Sequence, residues 1–230
     1  YVSGETANVD ESSSTGLNNG DTVEVTISAS GNVDTTGIYS GQAVDSTATS
    51  QDAATFTIYE SYPTFAWQTV PSTTLTGNAN ALIAKLKISA VGEFDVTFQN
   101  ADGNKVVFQA VVIRGDETTA GFENFTVKDE NGTTLDSALA ATNGTTELTV
   151  DFSTADLTVS AGSSKTLYFY MNTADLEDDN DSVQLYLDNS TAADLDFGVD
   201  GENFANAEAD VLWRSDYMAD QYSHLHVNPS

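Results

Sequence analysis

The chain has 230 residues, no cysteine, and 35 Asp and Glu against 7 Lys and Arg, for a formal charge of −28 at pH 7. That charge repels nucleic-acid phosphates and anionic headgroups, so nucleic acid and membrane insertion are not expected, and the missing thiols exclude disulfides and Cys-type zinc sites. With 40% apolar residues, 11 Phe, 9 Tyr and 2 Trp, the chain is too hydrophobic for a disordered one and predicts a buried core.

Residues 1–20 are polar and rich in Ser, Thr, Asn and Gly, with Val2 and Val9 as apolar points, and read as an N-terminal arm or donor strand. From Thr22 to Ser30, Val23, Val25, Ile27 and Ala29 alternate with polar residues, the period of a strand with one buried face. The same period recurs at Phe56/Ile58, Leu82/Ala84/Leu86/Ile88 and Phe94/Val96/Phe98. Asp102-Gly103 lies between the strand-like runs Phe94–Gln99 and Lys105–Ile113, which predicts an antiparallel hairpin. Residues 114–120, RGDETTA, hold no bulky apolar side chain and are read as a domain boundary. Beyond them the alternation resumes at Leu148/Val150/Phe152, Leu167/Phe169/Met171, Val183/Leu185/Leu187 and Val211/Trp213, with turns at Asn131-Gly132, Asn143-Gly144 and Asp200-Gly201. Short strands with frequent turns and no helical stripe predict an all-β, antiparallel β-sandwich protein, with two Ig-like sandwich domains in tandem over 21–113 and 114–212. The tail, 213–230, places Trp213, Tyr217, Met218, Tyr222, Leu225 and Val227 in a stretch without alternation.

The catalytic inventory is poor. His224 and His226 are the only histidines, both close to the end of the chain, and no G-x-S-x-G elbow is present, so no enzyme is expected. Hard cations are better served: Glu177, Asp179 and Asp181 crowd one connection and Asp194, Asp196 and Asp200 the next, which makes calcium the candidate cofactor. Neither loop has the spacing of an EF-hand, and a solvated acidic loop accounts equally for the charge. N-x-[ST] sequons at Asn124, Asn131, Asn143 and Asn189 are candidate glycosylation sites. Tyr168-Phe169-Tyr170 would project two tyrosines from one strand face, either as a sugar-stacking platform or as plain sheet cover. Lys85, Lys87, Lys105, Lys128 and Lys165 are the lysines from which an intramolecular isopeptide staple could be built.

The phrases TADLTVSAGSSKTLYFYMNTADL, DSVQLYLDN, ADVLWRSD and, earlier, TFTIYESYPTFAWQTVPSTTL resemble the repeat-rich secreted β-sandwich surface proteins of candidate-phylum bacteria. The resemblance implies a surface-layer, adhesin or filament role and supplies no site residues. No apolar run is long enough to span a bilayer, and no leader-like segment precedes Tyr1, so an exported chain at the cell surface or outside the cell is expected. The expected function is a structural subunit that assembles head to tail with copies of itself through a terminal segment. Val2, Val9, Trp213, Tyr217, Met218, Tyr222, Leu225 and Val227 are its candidate assembly residues. The alternative is an adhesin or carbohydrate-binding module that meets cell-surface glycans and holds calcium in its acidic loops.

Overall fold

The structure is a computed structural model. It describes residues 60–72, 74–77, 79–113, 123–174, 176, 178, 180–188, 194–199, 202–204 and 226–227, and in the first part of the chain 22–23, 26–27, 35–36, 39–40, 42–44, 51–52 and 56–57. The chain divides into two compact units, Tyr1–Tyr59 and Glu60–Ser230.

In the first unit six short strands are described: β1 (Thr22–Val23), β2 (Thr26–Ile27), β3 (Thr35–Thr36), β4 (Ala43–Val44), β5 (Gln51–Asp52) and β6 (Phe56–Thr57). They pair β1 with β6, β2 with β5 and β3 with β4, all antiparallel and nested about residues 37–42. Nesting of this kind is the pairing pattern of one long hairpin.

The second unit is built from two antiparallel sheets. Sheet I contains β7 (Ser61–Gln68), β8 (Ala81–Gly92), β11 (Glu123–Lys128), β12 (Thr134–Ala141) and β15 (Ser164–Met171), in the order β12-β11-β15-β8-β7. Sheet II contains β9 (Val96–Phe98), β10 (Lys105–Ile113), β13 (Gly144–Val150), β14 (Leu157–Val159), β16 (Ser182–Leu187), β17 (Leu195–Val199), β18 (Glu202–Phe204) and β19 (His226–Val227). Its order is β14-β9-β17-β10-β16-β19, with β13 on β10 and β18 on β17. No α-helix occurs among the described residues. The all-β sandwich expected from the alternation is what forms.

The alternation sets the faces. In β8, Leu86, Ile88 and Ala90 are buried while Lys85 and Lys87 between them stay half-exposed; in β15, Leu167, Phe169 and Met171 are buried while Tyr168 and Tyr170 look outward. Six phenylalanines, Phe98, Phe108, Phe125, Phe152, Phe169 and Phe197, are fully buried, each stabilising the fold by about 1.5–3 kcal/mol through removal from water. Phe108 of sheet II meets Phe169 of sheet I edge to face at 5.0 Å between centroids, and Trp67 of β7 lies 6.2 Å from both rings. This trio joins the two sheets.

Two expectations are corrected here. The boundary at 114–120 does not separate two sandwiches, because β8 pairs with β15 and β10 with β13 and β16, so strands from both sides of it share both sheets. A polar, charged stretch marks a connection as readily as a linker, and residues 114–122 link β10 of sheet II to β11 of sheet I. The division of the chain falls at residues 59 and 60 instead. Nor do the strands flanking Asp102-Gly103 form a hairpin. Asn100–Asp102 is a single 3-10 turn closed by Gly103 in the left-handed region at φ 73°, and β17 is inserted between β9 and β10, bonded to each. Turn chemistry reverses the chain locally, but the strand that fills the space beside it comes from almost a hundred residues away. A tight turn that does join paired neighbours is Asp129–Thr133 between β11 and β12.

Candidate functional surfaces

Three places in the second unit bear on function: the edge of β16, the acidic connections around β16 and β17, and the outward face of sheet I.

At the edge of β16, Ser182 pairs with Val227 and Val183 with His226, antiparallel. The C-terminal segment thus supplies a strand to sheet II. Of the candidate assembly residues only Val227 is among those described; Val2, Val9, Trp213, Tyr217, Met218, Tyr222 and Leu225 lie outside them.

The acidic connections are more buried than their composition suggests. Asp181, Asp188, Asp194 and Asp196 are all nearly inaccessible. Asp181 accepts the N–H of Asp178 at 3.0 Å, Asp188 accepts Gln109 Nε2 at 2.8 Å, and Asp196 faces Lys105 Nζ at 3.5 Å across the β10–β17 register. These carboxylates tie loops to strands. Among the described residues no three His, Asp or Glu side chains converge as a metal would need; Glu177, Asp179 and Asp200 lie outside the described residues.

A buried acid that the alternation did not flag sits in β12. Asp136 faces inward where the β11–β12 register shifts, and is 2% exposed. Its Oδ1 accepts the Ser137 N–H at 2.7 Å and the Ser153 hydroxyl at 3.1 Å, and its Oδ2 accepts the Asp151 N–H at 2.9 Å. Burial pushes its carboxyl above the ordinary value, against the N–H groups of Asp151 and Ser137, which favour the ionised form; the Asp151 carboxylate adds to the upward push. The arrangement clamps β12 to the loop after β13, and all its named partners are the protein's own. In the β11–β12 turn the balance is opposite. Slight burial opposes ionisation of Asp129, but the N–H groups of Thr133 and Asn131, with the Asn131 amide, hold its carboxyl below the ordinary value.

The sequons are distributed unevenly. Asn124 on β11, Asn131 in the β11–β12 turn and Asn143 at the corner before β13 are exposed; Asn131 spends its amide on Asp129, and Asn189 lies outside the described residues.

The outward face of sheet I gathers Lys85 and Lys87 from β8, Tyr168 and Tyr170 from β15, and Lys128 from β11. Tyr168 is in register with Lys85 on one side and Lys128 on the other, and Lys87 is in register with Thr166. The Lys85 ammonium lies 5.5 Å from the Tyr168 ring centroid and that of Lys128 lies 5.4 Å from Tyr170, within cation–π range. Sequence reading found the tyrosines but not the lysines. Alternation in β8 alone would have placed Lys85 and Lys87 outward; adding Lys128 required the β11–β15–β8 register.

No protein-family model and no curated protein matches this sequence. Among solved structures, the chain is similar, at 15% identity and a TM-score of 0.18, to one chain from the complete structure of manganese lipoxygenase of Gaeumannomyces graminis and partial structure of zonadhesin of Komagataella pastoris. The match covers 70% of this chain and 55% of that one. At this TM-score it bears on neither fold nor function.

Proposed function

We propose that the chain is a structural subunit of an extracellular filament or surface layer, joined to its neighbours when the C-terminal segment of one copy adds as a strand to a sheet edge of the next. The observation that carries this reading is the antiparallel pairing of His226–Val227 with Ser182–Val183 at the end of sheet II. A strand that bonds to an edge within its own chain can bond to the same edge of another copy, because the main-chain groups are identical. Residues 205–225 supply 21 residues between β18 and β19, enough to reach roughly 70 Å when extended at about 3.3 Å per residue. Trp213, Tyr217, Met218, Tyr222 and Leu225 along that stretch would each contribute about 1.5–3 kcal/mol if buried against a neighbour.

The test is truncation. Removal of residues 215–230 is expected to leave a protein with the circular dichroism of a β-sandwich that sediments as a monomer, while the full chain polymerises with concentration. Polymers of the truncated chain indistinguishable from the full-length ones on negative-stain grids would remove the tail as the connector. A full chain that stays monomeric at every concentration would remove the subunit reading itself.

A further inference from the structure

The five lysines divide sharply. Lys105 is paired with Asp196 and Lys165 with Glu130 at 3.1 Å; Lys85, Lys87 and Lys128 have no carboxylate partner among the described residues and share the outward face of sheet I. Three of the chain's seven basic residues therefore stand on one sheet face of a protein that carries −28 overall. None of the described outward strand residues on that face is acidic: its other positions are Tyr, Thr, Ser, Asn, Gln, Ala, Val and Leu. Glu130, in the turn after β11, is taken up by Lys165 and by the Thr166 N–H.

We infer that this face is the docking surface for the acidic exterior of a second copy of the chain, a lateral or head-to-tail contact additional to strand addition. The inference rests on the subunit reading and names a surface for it. Charge complementarity selects the occupant. Elsewhere the described exterior presents carboxylates such as Glu93, Asp95, Asp102, Glu147 and Asp156, all exposed, so another copy offers the opposite sign wherever it approaches. Two acidic copies repel unless a contact of opposite sign is placed between them. The tyrosines fit the same role: Tyr168 and Tyr170 hold the ammonium groups over their rings and offer flat, partly apolar area with few rotamers to freeze, as interface tyrosines do. The contact joins different patches on the two copies, so it propagates rather than closes into a dimer.

The experiment compares two full-length variants of equal net charge at one ionic strength. K85Q/K87Q/K128Q neutralises the face; Thr154→Glu, Thr158→Glu and Ser160→Glu together add the same negative charge at exposed positions outside the outward strand residues of that face. The glutamine variant is expected to fold normally and to need a critical concentration higher by about tenfold or more to assemble, the change that loss of close charge pairs produces. The glutamate control is expected to assemble like the unmodified chain. Normal assembly by the glutamine variant would overturn the face as a contact and leave the subunit reading standing. Equal loss in both variants would assign the effect to net charge and overturn it as well. An unmodified chain that remains monomeric defeats both the reading and this inference. Retention of the monomer on immobilised alginate, a polyuronate, with loss in the glutamine variant, would replace the second copy by an acidic glycan.

Discussion

The trio Phe108, Phe169 and Trp67 offers a direct test of the single sandwich. Phe108 precedes residues 114–120 and Phe169 follows them, yet their rings meet at 5.0 Å with planes 69° apart, and both are essentially inaccessible. Truncation of either to Ala removes about 3–5 kcal/mol, a large part of the 5–15 kcal/mol that holds a typical domain together. Leucine is the better probe, because it keeps most of the apolar volume and deletes the ring. F108L and F169L are each expected to cost about 0.5–3 kcal/mol. The double variant should miss additivity by about 0.5–1.5 kcal/mol, the ring-to-ring contribution. Urea denaturation followed by the fluorescence of Trp67, which lies 6.2 Å from both rings, reads the cycle in a W213F background that leaves it the only indole. Both single variants should move the same transition. Two separate transitions, one shifted by F108L and the other by F169L with additive effects, would refute the shared core and restore tandem domains.

Two further predictions concern the backbone and the buried acid. Gly92 ends β8 at φ +126°, and a Cβ there would run into the Glu60 carbonyl, the Ser61 hydroxyl and, at 2.6 Å, the Ser61 Cα. G92A is therefore expected to destabilise the second unit by about 2–5 kcal/mol, whereas G132A, with positive φ but open space around it, should cost only about 1–2 kcal/mol; equal losses in urea midpoints would show that the close approach at Gly92 does not matter. Because the Asp136 carboxyl titrates above its unfolded value, its favourable contribution is complete below the ordinary carboxylate value and is lost as pH rises through the folded one. The stability of D136N relative to the unmodified chain should accordingly improve across that rise, while D129N, replacing a carboxyl held low, should lose relative stability as pH rises through the carboxylate range. Urea midpoints taken from pH 3 to pH 7 that show no pH trend in either difference would remove the burial argument.

What the sequence determined by itself is the local order. A two-residue period with β-branched and aromatic side chains fixes which residues extend and which face of each strand is dry, and this is why Leu86, Ile88, Phe98, Phe169 and Leu185 could be named as core and were found buried. The same alternation carried the outward tyrosines. Pairing was another matter, since main-chain groups are alike in every strand and register depends on which faces meet across the whole sandwich. Hence the Asp102-Gly103 turn read as a hairpin, although β17 is bonded between its two arms, and a polar stretch at 114–120 read as a border, although both sheets are completed from either side of it. The charge of the acidic connections was legible in the sequence, but their burial was not: Asp181 and Asp196 are turned onto an N–H and a lysine of the protein itself. The lysine face lies at the far end of the same scale: Lys85 and Lys128 are 43 residues apart in the chain, and only the β11–β15–β8 ladder sets both beside Tyr168, because cross-strand neighbours are chosen by tertiary register and not by sequence separation.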